Sequence, residues 1–307
     1  MSTEPQNWKD IFYTSRDGLR LYGRHYPAPG STRRPLLCLP GLTRNSRDFH
    51  LLASLLSDPR GHRREVFAVD YRGRGRSEHD DDWRNYTPYT ESLDVLDFIT
   101  LAGISDAAVV GTSRGGLIAM ILACLRPTAI GALVFNDIGP VTEKEGLARL
   151  IGFVGRMPLP ATWDEATALV RDISKRAFPD IPDAEWLEVA RQWYNDDNGL
   201  PGQSYDRRLS KSLSMSDLQQ MTPMWTQFDA LARLPMLALR GENSDILSVR
   251  TLEEMRVRHQ GLKTITVAGQ GHAPLLRDRP TIAAIQTFLM ETDFGAQAQF
   301  HGLSAVA

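Results

Sequence analysis

At 307 residues, with 42% hydrophobic and 23% charged positions, the chain has the make-up of a folded globular protein able to bury a sizeable core. A formal net charge of −2 argues against general affinity for nucleic acid or an anionic membrane, so function must come from a local site. The longest apolar run, Leu117–Leu125, is far short of the roughly 20 residues that a membrane span requires.

The opening MSTEPQNWKD has no basic stretch leading into an apolar one, so no secretory leader and a cytoplasmic location are expected. Ile11–Tyr26 alternates polar and apolar residues around Asp17-Gly18 and predicts an edge hairpin. Six short aliphatic runs follow: Pro35–Leu39, Val66–Val69, Ala107–Val110, Gly131–Phe135, Met236–Leu239 and Thr264–Val267. Each is apolar on both faces and bounded by Gly, Pro or Asp, as strands buried between layers are. Val95, Phe98, Ile99 and Ala102 recur at helical spacing, as do Ile282, Ile285 and Leu289 after Asp278 and Pro280. Alternating strands and helices imply an α/β fold: a mostly parallel sheet flanked by helices, with ligands at the carboxyl ends of the strands. Cys38 and Cys124 lie in apolar stretches and read as reduced, packed thiols.

Between Asp137-Ile138-Gly139-Pro140 and about Trp225 the alternation stops. Ala166, Val170, Ile173 and Ala177 share one helical face, and Trp186, Val189, Ala190, Trp193 and Tyr194 share another. This predicts a helical insertion over residues 141–225, reading as a lid, between core segments 1–140 and 226–307. A pack of helices on the outside of the sheet is the blander reading of the same pattern.

Within Val109–Gly116, the turn Gly111-Thr112-Ser113-Arg114-Gly115 joins a predicted strand to a predicted helix. A turn this tight forces its central residue into an unfavourable backbone conformation and needs small residues two positions away on either side. Ser113 would then stand at the top of the sheet, at the positive end of a helix dipole. A serine hydroxyl is inert at neutral pH without a base, so a histidine and an orienting acid are required. His272 follows the last strand in the small-residue loop Gly269-Gln270-Gly271-His272-Ala273, where the ring can reach across the sheet. For the acid, Asp245 in Arg240-Gly241-Glu242-Asn243-Ser244-Asp245 is preferred, with Glu242 and Asp137 as competitors. Asp137 is assigned instead to capping a helix.

Ser113, Asp245, His272 and the turn Asp70-Tyr71-Arg72-Gly73-Arg74-Gly75-Arg76-Ser77 occur in an order that resembles the α/β-hydrolase superfamily, in its form with a helical cap. The resemblance covers nearly the whole chain outside the insertion. It implies an α/β-hydrolase fold, and reads Arg72, Arg74 and Arg76 as turn and salt-bridge residues. It also implies an oxyanion hole from the backbone N–H groups of Leu42 and Arg114, where Pro40-Gly41 replaces the His-Gly of many relatives. The Arg114 side chain is expected to contact the cap, with an anionic part of a substrate as the alternative. The chemistry implied is acyl transfer through a Ser113 ester, with no metal and no organic cofactor required. Neither H-E-x-x-H nor a post-strand G-x-G-x-x-G is found.

The expected substrate is a small apolar or aromatic carboxylic ester or lactone, with Phe153, Trp186 and Trp225 as candidate pocket residues. A serine at the nucleophile position argues against haloalkane dehalogenases and epoxide hydrolases. Carbon–carbon bond hydrolases of meta-cleavage products, thioesterases, perhydrolases, some amidases and non-catalytic small-molecule receptors share the remaining features and stay open.

Overall fold

The computed structural model describes the backbone of residues 6–213 and 222–303, and side chains through residue 293. Eight strands form one sheet: β1 (Lys9–Thr14), β2 (Arg20–Tyr26), β3 (Leu36–Leu39), β4 (Val66–Asp70), β5 (Ala107–Thr112), β6 (Ile130–Asn136), β9 (Met236–Gly241) and β10 (Leu262–Val267). Their order is β1-β2-β4-β3-β5-β6-β9-β10. The β1–β2 hairpin joins antiparallel, and the six strands from β4 to β10 are parallel.

Period-two alternation divides the core. Leu37, Leu39, Val109, Leu133 and Phe135 face α2 (Pro88–Leu101) and α3 (Arg114–Leu125), while Leu36, Cys38, Val110, Val134 and Leu239 face α1 (His50–Ser57) and the last helix. The central strands β5 and β6 are covered on both sides, which is why they read as continuous apolar runs. That last helix is capped by Asp278, whose Oδ1 accepts from the Thr281 amide at 2.8 Å. No helix among the described residues is long and apolar enough to cross a membrane. Both cysteines are free thiols; Cys38 is buried, but Cys124 is exposed because it falls on the outward side of α3, a correction to its expected packing.

The chain leaves the sheet after β6 and returns at β9, and the two ends of this excursion meet where the Met224 amide donates to the Pro140 carbonyl at 2.8 Å. It contains α4 (Lys144–Phe153), α5 (Trp163–Ser174) and α6 (Trp186–Trp193), and also a small hairpin, β7 (Asn195–Asp197) and β8 (Leu200–Gly202), that helical periodicity could not reveal. The two expected apolar faces pack together: Ala166 and Val170 of α5 bury against Trp186, Val189 and Ala190 of α6, with Phe178 and Tyr194.

Candidate active site

Register brings three strand ends to one level. Leu39 lies opposite Gly111, Thr112 opposite Asn136, and Asn136 opposite Leu239, so the residues just beyond β5, β6 and β9 share one rim of the sheet. Ser113 leaves β5 with φ 51° and ψ −116°, a sparsely populated conformation for a residue with a side chain. Its flanking glycines have no room for a methyl. A Cβ on Gly111 would lie 2.7 Å from the Gly115 backbone, one on Gly115 would lie 2.1 Å from the Leu39 carbonyl oxygen, and one on Gly116 would lie 2.3 Å from Ile138 Cγ2. The glycines let α3 start directly against β5 and β3, and this lifts the hydroxyl clear of the sheet.

The loop after β10 brings His272 onto this rim. Its Nε2 lies 2.8 Å from Ser113 Oγ and its Nδ1 lies 2.8 Å from Asp137 Oδ2. A carboxylate only accepts, so the ring proton sits on Nδ1 and leaves Nε2 to accept from the serine hydroxyl. The imidazole is 5% exposed and the Asp137 carboxylate 0%. Asp137 is further held by the Gly241 amide on Oδ1 at 2.8 Å and by the Ser244 hydroxyl on Oδ2 at 2.6 Å.

The expected acid, Asp245, is not the carboxylate on the imidazole. It lies four residues beyond β9, where the chain has already turned toward α4, and Arg149 binds it in a forked pair at 2.5 and 2.8 Å. Burial raises the Asp245 pKa, but the Arg149 pair outweighs it and leaves the group below the usual carboxylate value. Asp137 follows β6 directly, in a left-handed conformation with φ 57°. It caps no helix, because α4 begins only at Lys144. The signal for it was its place at the very end of a buried central strand. Ser244, which fixes its carboxylate, had no signal in the sequence.

Gly41 sits against the Ser113 turn: a Cβ there would lie 3.8 Å from Ser113 Cβ. Leu42 follows it and lines the cavity above Ser113. Arg114 is the first residue of α3, so its amide has no carbonyl one turn back to bond. Among the described residues, the Arg114 guanidinium bonds no part of the insertion and does not line the cavity. It turns inward onto Glu91 of α2, at 2.5 and 3.0 Å, and onto the Tyr86 carbonyl at 2.8 Å, because a buried cation is tolerable only beside an anion. Arg72 and Arg76 form the expected salt bridges, Arg72 with Asp17, Asp80 and Asp94, and Arg76 with Asp10.

A cavity of about 160 Å³ opens over Ser113 and His272, lined by Leu42, Leu150, Val154, Phe178, Trp186 and Trp193 among others. A second, of about 130 Å³, shares His272, Leu150 and Phe178 with it and extends to Phe153, Met157 and Tyr194. Trp186 therefore lines the first cavity and Phe153 the second. Trp225 lines neither: it packs edge-on against Phe228, beneath the Arg258 guanidinium, because its short helix Trp225–Asp229 (α7) belongs to the sheet's own core.

A mostly parallel sheet with an elbow serine, a histidine and a carboxylate on one rim defines the class. The sequence pattern of the alpha/beta hydrolase family matches residues 36–284, and the chain belongs to that family. Among relatives, it is 30% identical over 280 residues to a 3-hydroxybutyrate-oligomer hydrolase of Cupriavidus necator, covering 88% of this chain and 93% of that one. It is 26% identical over 243 residues to a 2-(acetamidomethylene)succinate hydrolase of Mesorhizobium japonicum, covering 77% and 81%. A crystal structure of an alpha/beta hydrolase from Novosphingobium aromaticivorans superposes with a TM-score of 0.85 at 37% identity, covering 94% of this chain and 99% of that one.

Proposed function

We propose that this hydrolase cleaves small carboxylic esters through an acyl-enzyme on Ser113. The observation that carries the reading is the unbroken row Ser113 Oγ, His272 Nε2, His272 Nδ1, Asp137 Oδ2, with both contacts at 2.8 Å, opening into an apolar cavity. His272 takes the serine proton as the hydroxyl attacks the ester carbonyl. Asp137 keeps the ring in the attacking tautomer and stabilises its cation. The amides of Leu42 and Arg114 receive the oxyanion, His272 returns the proton to the leaving alcohol, and water then releases the acid by the same steps.

The excursion between β6 and β9 acts as a cap, and the two neighbouring cavities beneath it hold the acyl and alcohol parts. Leu150, Val154, Phe178, Trp186 and Phe153 supply an apolar wall suited to short aliphatic or aromatic groups. The relative that hydrolyses 3-hydroxybutyrate oligomers supports esters of small hydroxy acids within this class. A panel of an aryl ester, the 3-hydroxybutyrate dimer, a lactone and a vinylogous diketone, run with the parent and Ser113→Ala, tests it. Ester turnover and fluorophosphonate labelling, both lost in Ser113→Ala, are expected. Preference for the diketone, or an unlabelled parent, would reject the ester reading.

A further inference from the structure

Two buried guanidinium groups, tied to the two segments that would form the oxyanion site, share one buried carboxylate. Glu91 is 0% exposed; Arg74 Nη1 lies 2.8 Å from its Oε1 and Arg114 Nε lies 2.5 Å from its Oε2. Arg114 is the residue whose amide forms one side of that site. Arg74 reaches the other side: its Nε donates to the Leu42 carbonyl at 2.9 Å, while its Nη1 donates to the Arg72 carbonyl at 2.6 Å. The Leu42 loop and the start of α3 are thus tied to a single carboxylate on α2, although they come from separate segments of the chain.

Stability alone does not explain this arrangement. Arg74 and Arg114 against Glu91 leave one positive charge in surplus within the cluster, and Arg74 Nη2 has no hydrogen-bond partner among the described residues. Arg74 also lies over the Tyr86 ring at 5.2 Å, yet burying two guanidinium groups against one carboxylate is costly, and such departures collect where function requires them. The backbone around Arg74 is fixed as well. Its turn bonds the excursion through the Gly75 amide to the Ser204 carbonyl at 2.7 Å and the Asp206 amide to the Gly73 carbonyl at 2.8 Å.

We propose that Arg74 is a positioning residue for ester hydrolysis: anchored by Glu91, it holds Leu42 with its amide toward the reacting carbonyl, and the surplus positive charge favours the oxyanion. The proposal rests on the ester-hydrolase reading above. It predicts an effect on the transition state and little on ground-state binding, since Arg74 itself lies outside the cavity wall.

Arg74→Met and Arg74→Lys test it on the full chain. Active serines are counted by fluorophosphonate titration, and kcat per titrated serine, KM for an aryl ester and Ki for a trifluoromethyl ketone are measured. The ketone is bound as an anionic hemiketal of serine. In Arg74→Met, kcat per titrated serine should fall about tenfold to hundredfold with KM within about twofold, and the ketone should weaken by the same factor as kcat. Lysine can bond Glu91 or Leu42 but not bridge them, so it should fall between; if the methionine variant does not fold, the lysine variant decides by the same criteria. Unchanged kcat per titrated serine, with any loss appearing only as fewer titratable serines, would overturn the proposal. A parent that is neither labelled nor active would overturn the hydrolase reading itself, which an active parent with unaffected Arg74 variants would leave standing.

Discussion

Two aspartates compete for one role, and their surroundings separate them. Asp137 has a fully buried carboxylate that accepts from the Gly241 amide, the Ser244 hydroxyl and the His272 ring, whereas Asp245 is 37% exposed and bound to Arg149. An acid that orients an imidazole must be immobile and desolvated, which Asp137 satisfies. Asp137→Asn should therefore lower kcat by about a hundredfold to ten-thousandfold, because the amide can present a donor to Nδ1 and favour the wrong tautomer. Asp245→Asn should change kcat by less than about threefold, since it removes only a half-exposed ion pair. Steady-state kinetics on both variants with one aryl ester checks the pair, and a larger loss in Asp245→Asn would reverse the assignment. Ser244→Ala removes one of three bonds to Asp137 and should lower kcat by a smaller factor, about tenfold.

Glycine means different things in different elements. In α3, a Cβ on Gly115 meets the Leu39 carbonyl oxygen at 2.1 Å, and backbone cannot move aside as a side chain can. In α4, a Cβ on Gly152 meets nothing within 4 Å, and glycine there only weakens the helix. The same substitution should thus have opposite signs. Gly115→Ala is expected to cost about 3 kcal/mol, or on the order of 10 °C in Tm, and to displace Ser113 enough to abolish turnover. Gly152→Ala is expected to add about 0.5–1 kcal/mol and leave turnover unchanged. Thermal melts of the two variants beside the parent give the comparison.

Across the whole molecule, one guanidinium joins three segments. Arg72, in the turn after β4, bonds Asp17 of the hairpin turn, Asp80, and Asp94 of α2, at 2.8, 2.6 and 2.6 Å. One positive charge cannot compensate three carboxylates, and the excess falls on the most buried of them: burial pushes Asp94 up to about 6 despite its Arg72 pair, while the Arg72 bond holds the more exposed Asp17 down to about 2. The two groups act on stability with opposite sign. For Asp94 the native state holds the proton more tightly than the unfolded chain, so its contribution falls as pH rises from about 4 to about 6. For Asp17 the contribution is present above about pH 4 and is lost as pH falls toward 2. Relative to the parent, Asp94→Asn should therefore become progressively more favourable between pH 4 and pH 6, with no further relative change above about 7. Tm against pH for parent and variant checks this, and parallel curves across that window would refute the proton on Asp94.

Much of this architecture was legible along the chain. The parallel sheet, the β1–β2 hairpin, the elbow at Ser113 and the loop of His272 all rest on local signals: buried runs, turn residues, and glycines crowded around one hydroxyl. The β7–β8 hairpin of three-residue strands carries too little periodicity to be read from sequence. The choice of Asp137 over Asp245, the inward turn of Arg114, and the exclusion of Trp225 from the cavity are of another kind. Each depends on which distant group becomes a neighbour, and hence on strand register and on the low-energy partner that a buried charge or ring can find. Sequence alone determined the sheet strands, most of the helices and the tight turn that lifts Ser113, because backbone sterics and hydrophobic periodicity act between near neighbours. Tertiary structure alone decided which carboxylate meets the imidazole, which residues wall the cavity and how Arg74, Glu91 and Arg114 cluster, because desolvated charges are paired by proximity in space.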